Sequence, residues 1–145
     1  MFTYSYEREK KRTVWDIVGI PQRGRLLQKA IARGLSYAAY LRVARYAEMT
    51  NAEMVELLGI SVSTLSRRAN AAKLSVSESE KVVRLIQMIN AGITLFEGSK
   101  GKALSWLKSP CCGLNGIKPI TMISTYGGTS EVLALIGRLE YGVYC

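Results

Sequence analysis

Apolar positions recur every third or fourth residue over most of this chain, and short polar or glycine-bearing breaks divide them into segments. A helix turns the same face inward at that period, so the pattern predicts an all-α fold. RLLQKAIARG places Leu26, Leu27, Ala30 and Ile31 at helical spacing and stops at Gly34; LSYAAYLRVARYAEM continues through Leu35, Tyr40, Leu41, Val43, Ala44 and Tyr46. VVRLIQMINAGITLF predicts a long helix with Val82, Leu85, Ile86, Ile89 and Ile93 on its buried stripe. ALSWLKSP reads as a short helix stopped before Pro110. PITMIS reads as one or two turns opening on Pro119, YGG as a break, and TSEVLALIGRLEY as an amphipathic helix with Val132, Leu133, Ile136 and Leu139 along it. TVWDIVGIPQRG, punctuated by Gly19, Pro21 and Gly24, reads as a strand or an irregular arm.

Polar residues mark the helix ends. Thr50 and Glu53 have the T-x-x-E spacing in which hydroxyl and carboxylate each accept from an amide that the first turn leaves free, so a helix begins just after Thr50. Gly59 suits the left-handed residue that closes it. Ser61 then caps a second helix running to about Lys73, with Leu65, Ala69 and Ala72 directed inward. So short a turn sets the two helices at a steep angle. SVSESEK offers a further box, Ser77 with Glu80, to open the long helix; EGSKGK reads as a polar joint and CCGLNGIK as a loop.

Two short helices meeting at a glycine turn match a helix-turn-helix, in which the second helix lies in the major groove of DNA and the first braces it. The outward face of that second helix presents Ser61, Val62, Ser63, Ser66, Arg67 and Asn70. Arginine can pair with guanine or phosphate, asparagine with adenine, serine with phosphate or a base edge, and valine with a thymine methyl. Two positions depart from the usual pattern: Val55 stands where a small residue lets the helices cross, and Arg68 where an apolar residue is customary. A structural helical hairpin is the alternative reading of the same stretch.

Charge favours the nucleic-acid reading. The chain carries 20 basic and 11 acidic residues, net +9, with 13 against 6 in residues 1–73 and 7 against 5 in residues 74–145. A polyanionic partner is therefore expected on the first half, where Arg23, Arg25, Lys29, Arg33, Arg42 and Arg45 are candidate phosphate contacts. The sequence holds no histidine, which removes the usual general base and the commonest metal ligand, so no catalytic residue, metal or cofactor is expected. Cys111, Cys112 and Cys145 match no zinc-site spacing and read as reduced thiols. No segment reaches the roughly 20 apolar residues a membrane span needs, and MFTYSYEREKKR lacks a signal peptide's apolar block, so a cytoplasmic protein is expected.

The second half carries a more specific set of spacings. LSVSESEKVVRLIQMINAGITLFEG runs from an LS-x-x-ES element to Phe96; A-x-x-WL-x-x-P is met by Ala103, Trp106, Leu107 and Pro110. L-x-G-x-x-P is met by Leu114, Gly116 and Pro119, T-x-x-G-x-x-x-V by Thr125, Gly128 and Val132, and E-x-G by Glu140 and Gly142. From about Ile31 onward the chain resembles the Xre/ParS-like antitoxins of bacterial RES–Xre toxin–antitoxin pairs. The resemblance leaves the first 25 or so residues unexplained, and these are read as a basic N-terminal arm over 1–24; it implies a helix-turn-helix region over 25–74, a linker helix over 75–98 and a toxin-binding domain with a C-terminal tail over 99–145. It also implies a cognate RES-type toxin that degrades NAD, operator DNA as second partner, and no catalysis by the chain itself; a homodimer is expected because a helix-turn-helix unit buries little surface alone and paired units read a two-fold site. The family's tail is implied to reach the toxin's active-site cleft, which makes Arg138, Tyr141, Gly142, Val143, Tyr144 and Cys145 the candidate toxin-binding residues. A stand-alone transcriptional regulator is the alternative.

Overall fold

The computed structural model describes residues 13–142, and every regular element among them is helical. The α-helices are α1 (Val14–Val18), α2 (Gly24–Arg33), α3 (Tyr37–Tyr46), α4 (Asn51–Leu58), α5 (Val62–Ala71), α6 (Val76–Leu95), α7 (Lys100–Leu107) and α8 (Tyr126–Glu140). Two 3₁₀ turns, Cys112–Leu114 and Pro119–Ser124, lie between α7 and α8. Among the described residues seven of the eight α-helices open on a serine or threonine hydroxyl that accepts from a first-turn amide, and α2, opened by Arg23, lacks such a cap. Each such cap stabilises its helix by about 1 kcal/mol, so the chain's hydroxyl residues fix its element boundaries.

Several expectations are corrected. TVWDIVGIPQRG is neither strand nor arm: Thr13 and Asp16 form a capping box that opens α1, whose Val14, Trp15 and Val18 are buried. Residues 13–20 therefore belong to the core. The long helix opens one box earlier than expected, on Ser75 and Glu78 rather than Ser77 and Glu80. Leu74 decides between the two registers, because it is 2% exposed and its N–H donates to the Leu35 carbonyl at 2.8 Å. A start at Ser77 would unseat it. Ser99 caps α7, so half of the joint EGSKGK is helical, and YGG is the first turn of α8 rather than a break. On α5, Leu65 is buried while Ala69 and Ala72 are exposed, and Ala72 ends the helix in the left-handed conformation. Leu26 and Leu41, counted on apolar stripes, are 69% and 43% exposed.

α6 organises the rest. It packs against α1, α2, α3, α4, α7, α8 and the 3₁₀ turn Pro119–Ser124. Its buried residues spread beyond the expected stripe to Val83, Met88 and Gly92. A helix apolar on most sides is one enclosed by its neighbours. One continuous cluster then joins Val14 and Trp15 through Tyr40, Met54 and Leu58 to Val132 and Ile136. Trp106 is half-buried against this cluster with its ring 6.5 Å from that of Phe96, which places it in the packing. Cys111 is buried and free, but Cys112 is disulfide-bonded, so the reduced-thiol reading fails there. No helix among the described residues is long and apolar enough to cross a membrane.

Candidate functional site

The helix-turn-helix is built from its ends inward. Thr50 Oγ1 accepts from Glu53 N–H at 3.2 Å while the Glu53 carboxylate accepts from Thr50 N–H at 3.1 Å, fixing the start of α4. The Thr50 backbone N–H and hydroxyl hold the Glu53 carboxyl below its ordinary value. Gly59 closes α4 with φ at 68°, a left-handed geometry that side chains disfavour. Two residues later Ser61 Oγ accepts from Thr64 N–H at 3.1 Å and opens α5. Val55, where a small residue is customary, is accommodated at the helix crossing with 9% exposure.

All six sequence-predicted recognition residues, Ser61, Val62, Ser63, Ser66, Arg67 and Asn70, are exposed. Val62 is 67% exposed, which leaves its methyl groups open to a partner. Arg67 Nη2 donates to Thr64 Oγ1 at 3.2 Å, which lays the guanidinium back along the helix toward its N-terminus. No carboxylate lies on α5, and the positive end of its dipole adds to Arg67. The face can therefore take an anionic duplex. Ser61 contributes mainly as the cap, since its hydroxyl is already occupied by Thr64.

Arg68 lies on the other side of α5 and binds Glu78 through Nε to Oε1 at 2.8 Å and Nη2 to Oε2 at 3.1 Å. Burial pushes the Glu78 carboxyl up, but Arg68 and the Ser75 N–H and hydroxyl together outweigh it, leaving the carboxyl below its ordinary 4.5. Arg42, a candidate phosphate contact, instead donates from Nε to the Val18 carbonyl at 2.9 Å and closes α1.

Two further cations tie the helix-turn-helix region to the second half and a third braces the second half itself; none was singled out in the sequence. Lys81 Nζ on α6 donates to the Leu58 carbonyl at 2.8 Å, capping the C-terminus of α4. Lys108 Nζ, just past α7, donates to the carbonyls of Ala47 and Glu48 at 2.7 and 3.2 Å, capping α3. Arg84 Nε donates to the Ile123 carbonyl at 2.8 Å. Cations suit these ends because helix carbonyls carry the negative end of the dipole. Their partners are backbone groups 23, 61 and 39 residues away, and no local spacing announces such pairs. A cleft of about 640 Å³ lies between α4 and Pro119–Ser124, with Glu53, Glu56, Lys81, Lys108 and Lys118 on its walls.

In the second half, the motif residues are structural where they are described. Thr125 Oγ1 accepts from Gly128 N–H at 2.9 Å. A Cβ on Gly128 would stand 2.6 Å from the Met122 carbonyl oxygen, so T-x-x-G encodes a cap and a close backbone approach. Of the candidate toxin-binding residues, Arg138, Tyr141 and Gly142 are exposed at the end of α8, Tyr141 at 89%. Val143, Tyr144 and Cys145 lie outside the described residues. Among the described residues no group of three or more His, Cys, Asp or Glu side chains could hold a metal ion.

Comparison with known proteins matches the chain in two parts, whose boundary falls inside α6. Residues 26–87 match the model of the antitoxin Xre-like helix-turn-helix domain, and residues 91–142 that of the antitoxin Xre/MbcA/ParS C-terminal toxin-binding domain. The chain is 35% identical over 137 residues to antitoxin Xre of Yersinia enterocolitica, covering 93% of each chain. It is 29% identical over 145 residues to antitoxin Xre of Photorhabdus laumondii, covering 99% of this chain and 97% of that one. A Sphingobium protein named Prs ADP-ribosylating antitoxin is 26% identical over 101 residues, 63% of each chain.

Proposed function

Starting from the finding that this chain belongs to the Xre antitoxins, non-enzymatic regulators with a helix-turn-helix and a toxin-binding domain, we propose that it neutralises a cognate RES-type, NAD-degrading toxin and represses its own operon. In this reading the second half covers the toxin's nucleotide site. Arg138, Tyr141 and Gly142 meet the toxin at the end of α8, and Val143, Tyr144 and Cys145 enter its cleft. The Sphingobium relative's name refers to ADP-ribosylation, a transfer that consumes NAD and suits such a partner.

The observation that carries the DNA half is the face of α5. Ser63, Ser66, Arg67 and Asn70 form a continuous exposed stripe with no hydrogen bond to another element, while Leu65 and Arg68 hold the opposite side. Arg67 and Asn70 read bases, and the serines and Val62 complete the contact. Two copies of the chain reading a two-fold operator supply the affinity that one short helix lacks. The proposed regions are a basic segment over 1–24, the DNA reader over 25–74, the linker helix over 75–98 and the toxin-binding part over 99–145, in a cytoplasmic protein.

Coexpression with the RES-type gene beside it tests the toxin half. Restored growth is expected, and persistent toxicity overturns it. Operator binding that falls steeply with added salt is expected of the DNA half, whereas salt-independent or absent binding overturns that half alone.

A further inference from the structure

A second cleft, about 430 Å³, lies away from the helix-turn-helix where α1, the approach to α2, the middle of α6 and the start of α8 converge. Trp15 lines it and is 5% exposed. Trp15 Nε1 is also the one buried side-chain polar atom without a hydrogen-bond partner among the described residues. A buried donor left unmet is rare in folded proteins, and this one lies just beneath the cleft rather than open to it.

The rest of the wall has matching chemistry. Gln87 and Asn90 interrupt the apolar surface of α6 at three-residue spacing and turn toward the cleft. Their carboxamides take no hydrogen bond from the described residues, and neither does the Arg23 guanidinium at the rim. Ser130 and Thr129 bring in the opening of α8, a 15-residue helix with no acidic residue in its first turn. Among the described residues no carboxylate lines the cleft, and Arg23 is the one charged side chain that does. Carboxamides and a cation therefore converge on a space that holds nothing negative among the described residues.

The geometry points to a binding site in this cleft for a small oxyanion, a carboxylate or phosphate group, with the Arg23 guanidinium and the Gln87 and Asn90 amides around it and the Trp15 indole at its floor. The site is separate from the DNA-reading face and from the end of α8, and it stands whether or not the toxin reading holds. Its ligand is a free anion or an acidic side chain of a bound protein.

The indole N–H supplies the readout. In the full-length ¹⁵N-labelled protein the two indole resonances, Trp15 and Trp106, are assigned from a Trp106→Phe variant. Sodium phosphate and sodium acetate are then titrated separately at constant ionic strength, balanced with sodium chloride. The Trp15 resonance is expected to move saturably with at least one anion while that of Trp106 stays in place. Arg23→Gln, which removes the cation, and Ser130→Glu, which puts a carboxylate in the cleft, should each weaken binding about tenfold or more. Both positions are exposed, so both variants keep the fold. A Trp15 resonance that ignores both anions, one that moves only in step with Trp106, or affinities unchanged in both variants overturn the site. Repeating the titration on the complex with the toxin separates the sources: a Trp15 resonance already shifted and insensitive to phosphate identifies a toxin carboxylate, and one that titrates as in the free protein identifies a free anion. Either result supports the site.

Discussion

Arg68 and Glu78 grip each other by two hydrogen bonds of 2.8 and 3.1 Å across the joint between α5 and α6, with the carboxylate almost wholly buried. Arg68 stands where helix-turn-helix units customarily carry an apolar residue. Here the position serves as a clasp between the DNA reader and the linker helix. A buried charge that loses its partner costs more than a neutral pair at the same place. Arg68→Leu is therefore expected to lower the melting temperature, and the double variant Arg68→Leu/Glu78→Gln to recover part of the loss, because glutamine keeps the capping box while removing the stranded charge. Thermal unfolding of the wild type and both variants checks the order.

The same carboxylate gives the fold an acid limit. The Glu78 carboxyl titrates below its ordinary 4.5 in the folded chain, and Glu53 shifts in the same direction. A depressed carboxyl contributes stability that is complete above the unfolded value and disappears as pH falls through the folded one. Stability should accordingly hold from neutrality to about pH 5 and fall below 4.5. Glu78→Gln should be less stable at neutrality and show a shallower acid decline. Denaturant titrations at a series of pH values read both effects.

Neighbouring glycines at the start of α8 give a paired test of the close approach to Met122. A Cβ on Gly127 meets nothing within 4 Å, whereas one on Gly128 meets the Met122 carbonyl oxygen at 2.6 Å. Gly127→Ala is expected to stabilise by about 0.5–1 kcal/mol through helix propensity. Gly128→Ala should cost about 1–3 kcal/mol through overpacking. Opposite signs in urea unfolding are the expected outcome.

On the recognition face, Arg67→Ala and Asn70→Ala should each weaken operator binding about tenfold to a hundredfold. The melting temperature should barely change, since both side chains are exposed. Lys81→Met differs: it uncaps α4 without touching the reading face, so stability and operator affinity should fall together. Fluorescence anisotropy with operator DNA, paired with thermal melts, separates contact from scaffold.

Much of this fold could be read from local spacing. Thr50, Gly59 and Ser61 placed the two helix starts and the turn between them, and Leu85, Ile86 and Ile89 placed the face of α6, because caps and apolar period act within one or two turns. α1 escaped because five residues are too few to show a period, although Thr13 and Asp16 carry the box that opens it. The choice between Ser75 and Ser77 was open locally, since both offer S-x-x-E, and was made by Leu74 against Leu35. Ala69 pointed inward by period but outward in fact, since α5 packs on α4 through a narrow strip around Leu65. Of the candidate site, the exposed α5 stripe was legible, whereas Lys81, Lys108 and the Trp15 cleft depend on residues brought together from distant segments.

Coverage of an NAD-consuming partner's nucleotide site by the second half of the chain is tested most directly by NAD turnover. The purified RES-type partner is assayed while this protein, or a variant ending at Gly142, is titrated in. Full-length chain should stop turnover at a fixed stoichiometry, and the truncated chain should bind yet inhibit far less. Turnover that continues with the partner saturated by full-length chain contradicts the claim.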